Sequence, residues 1–418
     1  MTATTTGARA TTDEVRSFYE RYPYPSSPAP VVRSGFSARL ALSRGQLARP
    51  AGGRLRVLDA GCGRGVGLIA SSALNPDADH LGIDLCSASL RDARAGLEAR
   101  GLTNGAVQQV DLMTLEGLEV PEGGFDVIHS SGVVHHLHDP QEGLRQLAGV
   151  LAPHGVIVLM VYGTIGRRDI RCVQAALRNL LDPELPVDRR LAAARAFVEG
   201  VADEEDPDCP FRDAARCADA EFVDRYLHPN ETDYDVPELF DLVEGAGLRF
   251  LGWVGSERYS LDGRLEPGPA RDAIEALPER ERYAVIEQLV RPRSHELLLC
   301  KPGNAARQLP SPERWGDLWL ATNPECTFQI TRRNLWGRSR TEEIRYGLQD
   351  AEPVLIEDPA LMRAAMILAG QNEPFQGSAL LQALAEEGVD APAAKAVLQQ
   401  AVELELVYAP HEVDLPSA

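Results

Sequence analysis

The sequence predicts an α/β fold built on a doubly wound parallel sheet. Between residues 54 and 162, short aliphatic segments alternate with amphipathic helical patterns, as crossover connections between parallel strands require. A glycine-rich turn follows the first aliphatic segment, and such a turn can join a strand to a helix around a bound nucleotide. The chain has 418 residues, which is long enough for this core and a second unit.

Residues 1–50 are predicted to hold one helix and a linker before the sheet begins. A capping box at Thr11 and Glu14 opens the helix, and its aromatic stripe ends before Pro23. The stripe either packs on the sheet or covers a ligand, and in the second interpretation Tyr19 and Tyr24 line a binding pocket. The first residues are polar and no apolar run could cross a bilayer, so we expect a cytoplasmic protein without membrane contact.

The turn after the first strand spaces its glycines as Gly61-x-Gly63-x-Gly65. The dinucleotide fingerprint instead reads Gly-x-Gly-x-x-Gly, and Val66 stands where its third glycine would be. Asp59 precedes the first glycine by two residues, and a carboxylate there suits a ligand cation better than a pyrophosphate. This spacing disfavours an NAD-dependent oxidoreductase.

Three further polar positions follow predicted strands in order. The predicted strands of the core are 55–58, 81–84, 106–110, 127–130 and 156–162. Asp84 ends the second strand, Asp111 follows the third and Ser130 ends the fourth. With Asp59, they are expected to meet at the carboxyl edge of the sheet, where such folds bind ligands.

The turn and the ordered acids together resemble the motifs of class I S-adenosylmethionine-dependent methyltransferases. The resemblance implies a Rossmann-like seven-stranded sheet whose last strand runs antiparallel, a lid formed by the N-terminal helix, and S-adenosyl-L-methionine as cofactor. It implies that Asp59 contacts the methionine ammonium, that Asp84 holds the ribose and that Asp111 with Leu112 frames the adenine. The residues expected to bind the cofactor are Asp59, Gly61, Gly63, Gly65, Asp84, Leu85, Asp111, Leu112, Ser130, Tyr19 and Tyr24.

A histidine cluster directly follows the fourth strand, at His135, His136 and His138. Adjacent histidines on a loop are poor geometry for a metal, and no metal is expected. The imidazoles could serve a structural role around the cofactor. Alternatively His135 or His136 acts as a general base toward the methyl acceptor, since imidazole titrates near neutral pH.

The chain beyond the fifth strand is divided into three parts. A helical insertion spans about residues 163–235, with helices predicted at 169–181, 187–201 and 214–227. The methyltransferase domain, 51–302, then resumes with a helix at 236–245, a strand at 249–254, an amphipathic helical region at 270–290 and a last strand at 295–301. Residues 303–418 are predicted as a small, mostly helical unit with helices at 358–369, 377–387 and 391–404 and a strand at 406–408, an order loosely like a winged helix.

Charge narrows the range of substrates. The net charge is −20, and residues 202–247 hold 15 acidic side chains against three arginines. Nucleic-acid binding draws on basic residues, so a nucleic-acid partner is excluded from the prediction. The acidic insertion is either a solvated face or a lid that steers a cationic substrate.

The sequence predicts methyl transfer to a small molecule, in a specialised metabolic pathway. One alternative is methylation of a peptide or protein side chain docked by the C-terminal unit. A second, from another class, is a non-catalytic scaffold that binds the cofactor. We also expect the C-terminal unit to support a homodimer.

Overall fold

The structure is a computed structural model that describes residues 12–25, 35–335, 338–348 and 353–412. Its central sheet has seven strands in the order β3-β2-β1-β4-β5-β7-β6. Strand β7 runs antiparallel to both of its neighbours, whereas the pairs among β1 to β5 are parallel. The strands are β1 Leu55–Ala60, β2 Ala78–Asp84, β3 Gly105–Gln109, β4 Phe125–Ser131, β5 Leu151–Tyr162, β6 Arg249–Trp253 and β7 Ser294–Cys300. The predicted seven-stranded, doubly wound sheet is confirmed.

Twelve helices accompany this sheet in the described residues up to β7. They are α1 Thr12–Arg21, α2 Ala38–Ser43, α3 Val66–Leu74, α4 Ser87–Glu98, α5 Pro140–Val150, α6 Arg168–Leu180, α7 Val187–Val201, α8 Arg212–Arg216, α9 Asp219–Leu227, α10 Val236–Gly245, α11 Pro269–Glu275 and α12 Glu279–Val290. Side-chain caps fix several of their starts. Asp139 caps α5, and Asp235 caps α10 in a reciprocal capping box with Glu238.

Three of the predicted elements differ clearly from the structure in their extent or continuity. Strand β5 begins at Leu151 and continues through Pro153 and Gly155, because a shift in its pairing with β4 accommodates these residues. The predicted helix 214–227 is divided into α8 and α9. The region 270–290 is divided in the same way at Pro278, directly before the start of α12.

Helix α1 packs on the helical insertion. Phe18 is buried in one apolar cluster with side chains of α6, α7 and α9, including Val173, Val198 and Phe222. The hydroxyl of Tyr22 donates to Asp188 on α7 at 2.5 Å. Thr11, predicted to begin the capping box, lies outside the described residues. Helix α1 and the insertion therefore share one apolar core.

The C-terminal unit holds more strands than the sequence predicted. Its helices are α13 Pro359–Leu368, α14 Gly377–Glu386 and α15 Ala391–Glu403. Its strands are β8 Trp319–Thr322, β9 Cys326–Leu335, β10 Arg338–Leu348, β11 Val354–Leu355, β12 Phe375–Gln376 and β13 Val407–Tyr408, in two three-stranded sheets. The order α13, β12, α14, α15, β13 accords with the loose likeness to a winged helix, which stays a prediction.

The main core lies between the sheet and the helices α5, α10 and α12. Leu58, Ile128, Ile157 and Leu299 on four different strands have no more than 1% of their surface exposed. The C-terminal unit has a separate apolar core that includes Leu320, Leu361 and Leu398. Within the described residues, no helix combines the length and the apolar character that crossing a bilayer requires.

Candidate functional site

A cavity of about 320 Å³ lies at the carboxyl ends of the central strands. Its wall combines the turn after β1, the ends of β2, β4 and β5, helix α1 and helix α9. Eight of the residues predicted from the sequence line it: Tyr19, Tyr24, Gly61, Gly63, Asp84, Leu85, Leu112 and His136. The strands thus bring residues from distant parts of the chain to one site.

The glycine turn has the conformation that its sequence requires. Gly61 has a φ of 83°, in the left-handed region that other residues rarely adopt. A Cβ atom at Gly61 would lie 2.3 Å from Cγ2 of Val133, which lines the cavity. Gly65 lies at the start of α3 and packs against Ala93 of α4 instead of lining the cavity.

Asp84 points its carboxylate at the turn from the end of β2. The backbone N–H groups of Gly63 and Cys86 each donate to it at 2.8 Å. Burial raises the pKa of Asp84, and it forms no ion pair with a described lysine or arginine. A half-buried carboxylate that faces a cavity in this way can accept hydrogen bonds from a ligand's hydroxyl groups.

The side of the cavity beside Asp84 is apolar. Leu85, Val110, Leu112 and Leu137 line it, and such a surface suits a flat heterocycle. Asp111 is not among the lining residues, and its carboxylate accepts the N–H of Met113 at 2.8 Å. The predicted contacts of Asp111 and Leu112 with adenine therefore stay predictions, and of the two residues Leu112 lines the cavity.

Asp59 differs most from its expected position. It is buried and does not line the cavity, and its Oδ1 lies 3.2 Å from Nδ1 of His129 on β4. His129 in turn stacks on Phe36, with the ring centroids 4.7 Å apart. Oδ1 of Asp59 is thus engaged with His129, and a contact with a ligand ammonium would fall to its other oxygen, Oδ2.

Ser130 and His135 also lie behind the wall. The Ser130 hydroxyl is buried and donates to the carbonyl of Ala60 at 3.0 Å, so it joins β4 to β1. His135 is fully buried, neither of its ring nitrogens has a hydrogen-bond partner among the described residues, and burial lowers its pKa well below the usual range. These positions distinguish His135 from His136, which the sequence could not separate.

His136 lines the cavity in a defined tautomer. Its Nδ1 lies 2.8 Å from the carbonyl oxygen of Asn230, and a carbonyl only accepts, so Nδ1 carries the proton. The remaining nitrogen, Nε2, is therefore the basic one in the neutral ring. His228 stacks on His136 with the centroids 3.9 Å apart and accepts the Asn230 N–H at its own Nδ1. Asn230 thus fixes both rings.

The insertion contributes a carboxylate that the sequence analysis did not single out. Asp224 on α9 lines the cavity with 6% of its surface exposed, and its Oδ1 accepts the hydroxyl of Tyr19 at 3.0 Å. Tyr19 and Asp224 are separated by 205 residues, so no local pattern joins them. The signal available in the sequence was the amphipathic spacing of α9. It predicts that one face of the helix is buried, but it does not predict that Asp224 lines a cavity.

Tyr162, at the end of β5, completes this side of the cavity. The guanidinium carbon of Arg167 lies 3.5 Å from its ring centroid, and His135 stacks on the same ring at 3.9 Å. Burial raises the pKa of the Tyr162 hydroxyl, which stays protonated at neutral pH. Tyr162 is therefore held by neighbours at its ring and offers a neutral hydroxyl.

The cavity fits the cofactor that the resemblance implies. A glycine turn without Cβ atoms, a carboxylate for a ribose diol and an apolar wall for a base lie side by side. The cavity is also lined by Tyr19, His136, Tyr162 and Asp224, which contact one another in the pairs Tyr19–Asp224 and His136–Tyr162; we call this group the acceptor end.

Comparison with known proteins identifies the same family that the sequence motifs resemble. A family model described as a methyltransferase domain matches residues 52–179. The chain is 33% identical over 307 residues to an uncharacterized protein of Synechococcus sp., covering 66% of this chain and 69% of that protein. It is 32% identical over 101 residues to the ubiquinone biosynthesis O-methyltransferase of Bordetella avium, and the matched region covers 24% of this chain and 39% of that protein.

A solved structure is similar along almost the whole chain. PKMT2 from Rickettsia typhi superposes with a TM-score of 0.64 and 16% identity, covering 94% of this chain and 76% of that one. A second structure of PKMT2, in complex with AdoHcy, gives a TM-score of 0.61 at 15% identity. These likenesses show a shared fold that includes the C-terminal unit. With the methyltransferase-domain match and the sequence relatives, the chain belongs to the class I S-adenosylmethionine-dependent methyltransferases.

Proposed function

We propose that this enzyme transfers the methyl group of S-adenosylmethionine to a small-molecule acceptor, with His136 as the general base. The observation that carries the proposal is the Nε2 atom of His136, which Asn230 leaves as the basic nitrogen of a cavity-lining ring. Helix α1 covers this end of the cavity through Tyr19 and Tyr24. A cavity partly covered by these two side chains favours a small acceptor over an extended chain.

The chain's own residues position the two reactants. The glycine turn and Asp84 would hold the donor's nucleoside part, and Leu85 and Leu112 would pack on its base. The bound cofactor supplies a methyl group already activated by the positive charge on sulfur. In-line transfer then requires the acceptor atom about 3–3.5 Å from the methyl carbon in a dry cavity, and such orientation is worth roughly 7–11 kcal/mol.

His136 contributes to the reaction by removing a proton. As the acceptor's lone pair forms a bond to the methyl carbon and the carbon–sulfur bond breaks, the proton of the acceptor's O–H or N–H passes to Nε2. The Asn230 carbonyl stays bonded to Nδ1–H and supports the imidazolium that forms. Of the two histidines predicted as a base, His135 is the weaker candidate because it is buried behind the wall.

Labelled S-adenosylmethionine incubated with the enzyme and a cell extract tests the acceptor class. We expect label in the small-molecule fraction. Label confined to the protein fraction would instead support the peptide or protein acceptor, docked by the C-terminal unit, and overturn this proposal.

A substitution tests the base. His136→Gln is expected to lower kcat by roughly 10²–10⁴-fold while the affinity for S-adenosylhomocysteine stays within a few-fold. His138→Gln, at an exposed histidine of the same segment, is the matched control. An unchanged kcat in His136→Gln would remove the base from the mechanism.

A further inference from the structure

We propose that Asp224 forms a subsite for a positive charge at the acceptor end of the cavity. This inference rests on the proposed function and adds the chemical character of what binds there. The charge belongs either to the donor's sulfonium or to an ammonium group of the acceptor, and both carry the chemistry that a carboxylate recognises.

The first argument is that Asp224 is a carboxylate buried without a positively charged partner. It has 6% of its surface exposed, its hydrogen bond comes from the neutral hydroxyl of Tyr19, and it forms no ion pair with any lysine or arginine of the described chain. Burying an ionised carboxylate is unfavourable unless a counter-charge or strong hydrogen bonds accompany it. Asp224 lines a cavity, so a ligand can supply that charge.

The neighbouring arginines are engaged elsewhere. Arg167 lies 2.9 Å from Glu231 and 3.4 Å from Asp233, and Arg225 pairs with Glu221 on α9. Arg167 also packs over the ring of Tyr162. Their charges are therefore divided among other carboxylates. Arg167, Arg225 and His136 act on Asp224 through space, but none of them forms a direct ion pair with it, so a ligand in the cavity can supply one.

The second argument is the charge of the surrounding insertion. Residues 202–247 hold 15 acidic side chains against three arginines. Arginines outside this segment pair with some of these acids, as Arg171 does with Asp233 and Arg195 with Asp219, but an excess of acids remains, and it attracts cations. Burial raises the pKa of Asp224 and so disfavours its ionised form. A cation bound beside it would oppose this effect and favour the carboxylate. The acidic insertion and the buried carboxylate thus favour the same class of ligand.

Calorimetry with two pairs of probes tests the subsite and distinguishes its sources. The first pair is S-adenosylmethionine and S-adenosylhomocysteine, which differ in the charge on sulfur. The second pair is n-butylammonium and n-butanol, titrated into enzyme saturated with S-adenosylhomocysteine. Each pair is measured on the unmodified enzyme, on Asp224→Asn and on Asp213→Asn, a matched control at an exposed acid of the same insertion.

We expect Asp224→Asn to reduce the preference for the charged member of one pair by about tenfold or more, with Asp213→Asn unchanged. A loss in the first pair assigns the charge to the sulfonium, and a loss in the second assigns it to an acceptor ammonium. Either result supports the subsite. Equal preferences in the unmodified enzyme and Asp224→Asn for both pairs would overturn it.

A second variant keeps the test decisive if Asp224→Asn does not fold. Tyr19→Phe removes the hydroxyl that donates to Asp224, so the carboxylate depends more on the ligand and the preference for a cation is expected to rise. An unchanged or smaller preference would contradict the proposal. These readouts are binding ratios, so they stay informative if the label of the previous experiment appears in protein and the small-molecule assignment fails.

Discussion

Gly61→Ala is expected to damage the site more than the same change two residues later. At Gly61 the new Cβ would lie 2.3 Å from Cγ2, 2.7 Å from Cγ1 and 3.0 Å from Cβ of Val133, so no rotation of Val133 relieves the overlap. The left-handed backbone, with φ at 83°, adds roughly 1–2 kcal/mol for a residue with a Cβ. Overpacking adds about 1–3 kcal/mol, for a total of about 2–5 kcal/mol.

Gly63→Ala is the matched control. Gly63 also has a positive φ, of 50°, but among the described residues its Cβ would meet only the carbonyl oxygen of Tyr24, at 3.5 Å. Backbone strain of roughly 1–2 kcal/mol is therefore the main cost. The melting temperature of Gly61→Ala should therefore be lower than that of Gly63→Ala. Calorimetry should show that Gly61→Ala binds S-adenosylhomocysteine more weakly than the unmodified enzyme, because Val133 lines the cavity. Equal melting temperatures, with binding by Gly61→Ala as tight as in the unmodified enzyme, would refute this reasoning.

Two further predictions concern stability and pH. Burial lowers the pKa of His80 to about 4, so between about pH 6.5 and 4 the unfolded chain binds a proton that the folded chain does not. The free energy of unfolding should therefore fall by about 3 kcal/mol as the pH decreases. Denaturant unfolding at several pH values should show a weaker pH dependence of stability in His80→Leu than in His138→Leu, and an equal dependence would contradict the assignment. Burial of Asp126 opposes its charge, but hydrogen bonds from Arg56 and His154 outweigh this effect and hold the pKa of Asp126 well below its usual range. Asp126→Ala should lower the free energy of unfolding by about 3 kcal/mol or more at neutral pH, as measured by denaturant unfolding. A loss under about 1 kcal/mol would show that these contacts contribute little to stability.

The glycine turn and the acid at the end of β2 could be predicted from the sequence because both are local. The spacing of Gly61 and Gly63 and the position of Asp84 after an aliphatic strand depend on neighbours within the same segment. Asp59 looked equivalent to Asp84 in sequence, but it pairs with His129, 70 residues further along the chain. No local pattern encodes which of two strand-end carboxylates turns toward the cavity.

The acceptor end depends on contacts between distant segments. Helix α1 brings Tyr19 to Asp224, and the loop at Asn230 selects the tautomer of His136. Sequence reasoning located the histidine pair but could not choose between its members, since their difference is burial. It passed over Asp224 as one acid among many in a strongly charged insertion.

The C-terminal unit illustrates a different limit. Its helices were predicted within a few residues because apolar spacing and Asp caps mark them, as at Asp358 and Asp390. The paired strands β9 and β10 were missed because polar residues and arginines interrupt their alternation. The segment from Thr327 to Thr331, which includes Phe328 and Ile330, was the available strand signal.

Calorimetric titration of S-adenosylhomocysteine tests the account of the donor site most directly. The unmodified enzyme should bind it. Asp84→Asn should weaken binding by about tenfold or more, because the carboxylate that faces the cavity is lost. Asp59→Asn should change the affinity far less, because that carboxylate is turned toward His129. Asp84→Asn binding as tightly as the unmodified enzyme, or Asp59→Asn losing the greater share of affinity, would contradict the account.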